Sequence, residues 1–410
     1  FPTYRFTSAV IDSPNTALVR PINWNNVMTK LDFLPINVKD YGAIGNGVTD
    51  DAAAMNSAFT ALPTLGGVIY FPAGTYLVSS GLNFNTKKSL VLWGDGPYNT
   101  IITGNLTGAA TIKRFFGTGS DFFIHGLQIK NTSATGLAAI WVEAFIIGVL
   151  EYCQIISAGT YGLYAAANVF TFHVRNCSIT SGGVNTGIGV LSTSHTLIEN
   201  CDVTGWDEGI RCSGTTCDII GCRLEVNKPG IVVGKNAAGT TFALSRSMIS
   251  GNSFEANDVG ILFKSIGSSI VSGIGMQGST NAPSGQSQIG ILVEGATDTA
   301  FLSMGIGGSF NDAAIRIKSG ASTRQTWTNV NATNSISTAK IWDVQQGLTD
   351  LSFHNCNYLI RPDDSIVTGR YLQRHGRFQY LAQTDYLNSA KEGKNLRGKD
   401  IVVTEAATTK

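Results

Sequence analysis

From about Phe122 to Ile360 the apolar residues come in segments of three to six, rich in Ile, Val and Phe and broken by Gly, Asn and Ser. Segments this short read as strands, not as helix faces. Four of them share a frame. "LEYCQII", "VRNCSIT", "IENCDVT" and "IIGCRLE" place Cys153, Cys177, Cys201 and Cys222 at steps of 24, 24 and 21 residues. A turn follows each, then a glycine and an apolar residue: Gly162-Leu163, Gly187-Ile188, Gly209-Ile210 and Gly230-Ile231, continued by Gly260-Ile261 and Gly290-Ile291. Upstream, "HGLQIKN" fits with Leu127 in the cysteine slot, and downstream "HNCNYLI" fits with Cys356. A period of 21 to 30 residues filled by strands, with no helix between them, predicts an all-β fold, a right-handed parallel β-helix whose coils stack one on the next. The cysteine slot then forms an inward ladder, and the asparagines before it, Asn176, Asn200 and Asn355, suit a tight turn.

In such a stack, equivalent positions on neighbouring coils lie about 4.8 Å apart, so register becomes distance. Three residues past the cysteine slot stand Thr180, Thr204, Glu225 and Glu255; two before the glycine stand Asn185, Asp207, Lys228 and Asp258. The turns "TGWDEG", "EVNKPG" and "EANDVG" have equal length, so Asp207, Glu208, Glu225, Glu255 and Asp258 converge on one turn face, with Lys228 between two aspartates and Trp206 beside them. Hydrolysis of a glycosidic bond needs two carboxyl groups, about 5 Å apart for retention or about 6.5 to 9.5 Å for inversion. One coil step suits Glu225 with Glu255 as a retaining pair; two steps suit Asp207 with Asp258 as an inverting one. Clustered acids raise one another's pKa, as a general acid requires. An exposed Trp206 would offer a flat surface for a sugar ring. The plainer reading is a solvated acidic turn with Lys228 as its neutralising partner.

Other chemistry is sparse. His125 and His354 share the slot two before the cysteine position, where Glu151, Arg175 and Glu199 also fall, which predicts a salt-bridge ladder or else a charged groove. His173 and His195 lie elsewhere in their coils, and no zinc-ligand spacing occurs. No metal or cofactor is expected. Seven cysteines argue against a disulfide framework, although Cys212 and Cys217, flanking "SGTT", leave a pairing open. With 29 Lys and Arg against 28 Asp and Glu, a nucleic-acid partner is not expected. Apolar runs such as Ala138 to Val149 are too short and interrupted for membrane insertion, so the chain reads as a soluble, already processed, excised or signal-free exported protein.

The region before the repeat adds a resemblance. "VKDYGAIGNGVTDDAAAMNSAFTAL", "GGVIYFPAGTYLVSSGLNF" and "LVLWGDGPYNTIIT", from about Ile36 to Thr103, resemble the N-terminal entry of the pectate lyase superfamily, which includes polygalacturonase-like hydrolases and phage tailspike depolymerases. Asp50-Asp51 in this stretch reads structurally, with Thr49 or Asp50 as the N-cap of a short helix that plugs the end of the solenoid. Residues 1–35 resemble a linker or attachment segment of phage tail proteins; 36–360 form the β-helix domain. Residues 361–410 break the repeat and turn basic, through Arg370, Arg374, Arg377, Lys391, Lys394, Arg397 and Lys399, as a cap or oligomerisation tail.

The resemblance implies a depolymerase of a bacterial surface or extracellular polysaccharide, a homotrimer, attachment to a phage tail or baseplate through the N-terminal segment, and a place on the virion tail or outside the cell. Departures from the polygalacturonase motifs bear on the chemistry. "VNTGIGV" lacks the aspartate, "KPGIVVG" lacks the histidine, and Arg316-Ile317-Lys318 lies several coils downstream of its usual place, which speaks against polygalacturonase activity itself. Hydrolysis is the first expectation. A lyase acting on a uronic acid, with Lys228, Arg211 or Arg223 as base or substrate contact, is the second, and a non-catalytic fibre or adhesin the third.

Overall fold

The computed structural model describes residues 35–356 apart from 116–119, 144–146, 167–170, 184–186, 194, 319–321, 337–338 and 345–350. The segment 1–35, save its last residue, and the tail 361–410 therefore lie outside the described residues.

Each coil lays down three strands, as in Thr196–Glu199, Asp202–Thr204 and Glu208–Cys212. First-row and second-row strands make up a 25-stranded sheet, and the third-row strands make an 11-stranded one. Pairing is parallel from coil to coil throughout. The chain is thus a parallel β-solenoid, as the repeat predicts. One continuous core fills it, because each strand sends alternate apolar residues inward and the next coil covers them.

The cysteine slot is an inward column of Leu127, Cys153, Cys177, Cys201 and Cys222, all buried. Cys212 and Cys217 are buried too and both are free thiols, so the pairing left open by their spacing is not made. The residue before each slot turns the chain in the left-handed region, with φ of 53°, 51° and 50° at Asn176, Asn200 and Asn355, where asparagine is favoured.

The helix Ala52–Ala61 packs Met55, Ala58 and Phe59 against the core, with the Phe59 ring 5.0 Å from that of Phe84. Its cap position is Asp51, one residue later than expected. The buried Asp51 carboxylate instead accepts from the Ile44 and Gly45 backbone N–H groups at 2.7 and 3.0 Å, pinning that loop. Asp50 supplies the bond to the Ala52 N–H, at 3.1 Å, and also holds Ser79. Both acids are structural, as the sequence indicates.

The ladder His125, Glu151, Arg175, Glu199 is present on the outer face of the first row. Glu151 lies 2.9 Å from Arg175 Nε and 3.5 Å from His125 Nδ1.

Candidate functional site

The acidic turns connect second-row to third-row strands. In all three, one residue adopts a left-handed conformation, Gly205 (φ 82°), Val226 (φ 54°) and Ala256 (φ 53°). That kink interrupts the strand alternation and aims the following residue into the solenoid. The inward column is Trp206, Asn227, Asn257 and Ser287, all buried. Each asparagine reaches back one coil: Asn227 Oδ1 accepts from the Trp206 N–H at 3.0 Å, and Asn257 Oδ1 from the Asn227 N–H at 2.9 Å.

Trp206 therefore corrects the expectation. It is 0% exposed, its indole Nε1 donates to the Ile179 carbonyl at 3.1 Å, and it offers no face to a sugar. The sequence carried the signal, since Asn227 and Asn257 occupy the same third position of their turns and suit an inward, hydrogen-bonded slot.

Outward residues form two columns. Thr204, Glu225, Glu255 and Gln277 are Cα partners on successive coils. Arg223 sits at the root of this column, with Nε 3.1 Å from Asp202 and Nη1 3.2 Å from Glu225. Glu255 stands exposed one coil further on. In the other column Lys228 pairs with Asp207, both side chains about half exposed. Asp258 does not share that lysine's hydrogen bond: its Oδ1 accepts from the N–H and the hydroxyl of Ser284, each at 2.8 Å, and so fixes the loop 279–287.

Glu208 and Arg211 also correct the expectation. They pair with each other on the outer face of the third row, with side chains only 13% and 11% exposed. Lys235 completes the group at 2.7 Å from Glu208, and Arg211 Nη1 reaches the Asn236 carbonyl at 3.4 Å. Lys235 and Asn236 open a small hairpin, in which the Phe242 N–H returns to the Gly234 carbonyl, so this ion group clamps the hairpin to the sheet. Burial alone would push the Glu208 carboxyl up. The bonds and charges of Arg211 and Lys235 outweigh it and hold Glu208 below its ordinary value, the opposite of a general acid.

Register counting passed over an aromatic column on the third row, upstream of the acids. Lys113, Trp141 and Tyr164 are neighbours there. The Trp141 and Tyr164 rings stack at 5.4 Å, and Lys113 Nζ sits 4.7 Å over the indole, so the ring faces cover one another. The signal was available in the same frame, as the aromatic position within "IWVE" and "LYAA".

Comparison with known proteins agrees with this architecture. The family model "Rhamnogalacturonase A/epimerase, pectate lyase-like" matches residues 35–134, and "Right handed beta helix region" matches residues 114–273. The pre-neck appendage protein of Bacillus phage phi29 is 26% identical over 249 residues, 54% of this chain and 27% of that protein. Mannuronan C5-epimerase AlgE1 of Azotobacter vinelandii is 40% identical over 163 residues, 34% of this chain and 12% of that one. The chain thus spans about a quarter or less of the length of these curated relatives. Among solved structures, the Dettilon tailspike protein superposes with a TM-score of 0.52 at 13% identity, over 84% of this chain and 70% of the other, a likeness of fold alone.

Proposed function

We propose that this chain, a pectate lyase-like right-handed parallel β-helix, binds a long polysaccharide along its side and cleaves it by glycosidic hydrolysis at the corner formed by Glu225 and Glu255. The observation that carries the reading is their direct register on consecutive coils. A single strand spacing, about 4.8 Å, is close to the roughly 5 to 5.5 Å between the two carboxyl groups of a retaining glycosidase. Arg223 orients Glu225 as the nucleophile. Glu255, open to solvent, protonates the leaving oxygen and then takes the proton of the incoming water. Asp207, Lys228 and Asp258 form the polar rim that meets sugar hydroxyls.

A second reading is favoured by the similarity to the mannuronan C5-epimerase. A base at this corner, with Lys228 as a candidate, would take the proton at C5 of a uronic acid; the electron pair forms a C4–C5 double bond as the bond to the C4 oxygen breaks, and that oxygen leaves on the neighbouring sugar, taking a proton from water. The similarity to a phage appendage protein supports a place on the virion tail; a homotrimer remains the assembly that the resemblance to tailspikes implies.

The experiment is incubation with purified bacterial capsular polysaccharides, followed by reducing-end and ultraviolet assays. Hydrolysis gives new reducing ends without absorbance, whereas elimination gives an absorbing unsaturated product. Unchanged viscosity with every polymer, and no effect of Glu225→Gln with Glu255→Gln, would leave a non-catalytic fibre as the reading.

A further inference from the structure

At the bend between the first and second rows, the coils place Gly126, Asn176, Asn200, Gly221 and Gly251 in the left-handed region, with φ between 51° and 68°. Tyr152 occupies the same bend at φ 52°. A bulky side chain is disfavoured there, and glycine or asparagine would hold the turn with less strain. Burial does not offset the strain, because the residue is 51% exposed.

What surrounds the ring is specific. Its centroid lies 6.0 Å from that of His125, which tilts against Trp93 at 4.5 Å. Trp93, His125, Glu151 and Arg175 are consecutive partners along the column. The Glu151 carboxylate and the Arg175 guanidinium pair at 2.9 Å, and the Tyr152 backbone N–H donates to the Arg175 carbonyl at 3.3 Å.

We propose that Tyr152, with Trp93, Glu151 and Arg175, forms a second, non-catalytic subsite that takes a neutral pyranose unit of the polymer. The site lies one strand row and three coils away from the acidic corner, and the inference rests on the polysaccharide reading above. An exposed phenol next to the His125 imidazole, which itself packs on the Trp93 indole, suits the C–H face of a sugar, and a paired carboxylate and guanidinium one coil step apart offer acceptors and donors to vicinal hydroxyls. The charges of Glu151 and Arg175 cancel, which gives an anionic sugar no advantage. Burial, working against the Glu151 charge, holds the His125 imidazole below its ordinary value and favours its neutral form.

The test is affinity electrophoresis of the full chain in gels cast with neutral or with uronate-rich capsular polysaccharides, beside thermal unfolding and gel filtration. Tyr152→Asn removes the strain, so its Tm should hold or rise. Its dissociation constant for a neutral polymer should rise roughly five- to tenfold, the loss of one ring contact, while Tyr152→Phe binds nearly as the parent does. Unchanged retardation of Tyr152→Asn overturns the subsite but leaves cleavage at Glu225 and Glu255 untouched. Retardation by uronate-rich polymers alone overturns the neutral class. A smaller particle in gel filtration with unchanged retardation makes Tyr152 a contact between copies and overturns the proposal. No retardation of the parent by any polymer overturns the polysaccharide reading and this site with it.

Discussion

The indole Nε1 of Trp206 donates to the carbonyl oxygen of Ile179 inside the solenoid, 3.1 Å away and 27 residues earlier in the chain. A side chain this large, buried where the neighbouring turns carry asparagines, closes its section of the core. Trp206→Ala should cost about 3 to 5 kcal/mol through cavity formation, and Trp206→Phe less. Denaturant unfolding checks the magnitude. A loss of polysaccharide affinity without loss of stability would return Trp206 to the binding surface.

The corner shows why some features were legible and others were not. Parallel stacking converts sequence spacing into a Cα partner, so Glu225 beside Glu255 follows from counting alone. The facing of Trp206 does not, because the left-handed Gly205 breaks the alternation on which inside and outside are assigned. Asp258 and Glu208 were beyond reach for another reason. Their partners, Ser284 and Lys235, lie in excursions outside the repeat, whose course the period does not specify.

Glu208 supplies an acid-dependent part of the stability. Its folded pKa is depressed relative to its ordinary value of 4.5, so its contribution is full above that value and is lost as pH falls through the lower folded one. Glu208→Gln leaves Arg211 and Lys235 without their carboxylate and should cost roughly 3 kcal/mol at neutral pH. The difference from the parent should shrink below about pH 4. Tm measured from pH 3 to 8 tests this, and parallel curves for the two proteins would contradict it.

All seven cysteines are free and buried. Burial, aided by the neighbouring thiols, pushes the Cys177 thiol well above its ordinary value, so attack by alkylating reagents should wait for unfolding. Iodoacetamide in denaturant without reductant should give seven adducts by mass, and the native protein close to none. Five adducts would mean that Cys212 and Cys217 are joined.

The acid pair makes the sharpest functional demand. Glu225→Gln and Glu255→Gln replace an ionisable group with an amide of nearly equal shape on the surface of an already formed strand, so neither should lower Tm appreciably. If the two carboxyl groups act as nucleophile and proton donor, each substitution should reduce kcat by about 10² to 10⁴, with the double variant little worse than the more damaged single one. They should also differ from each other. Azide can stand in for a carboxylate whose side chain has been truncated, so it should partly restore Glu225→Ala and give a glycosyl azide of inverted configuration, whereas in Glu255→Ala it should intercept the glycosyl-enzyme from the face opposite Glu225 and retain configuration. Reducing-end release with and without azide, with product configuration read by nuclear magnetic resonance, decides the assignment. Full activity in both variants removes this corner from the chemistry.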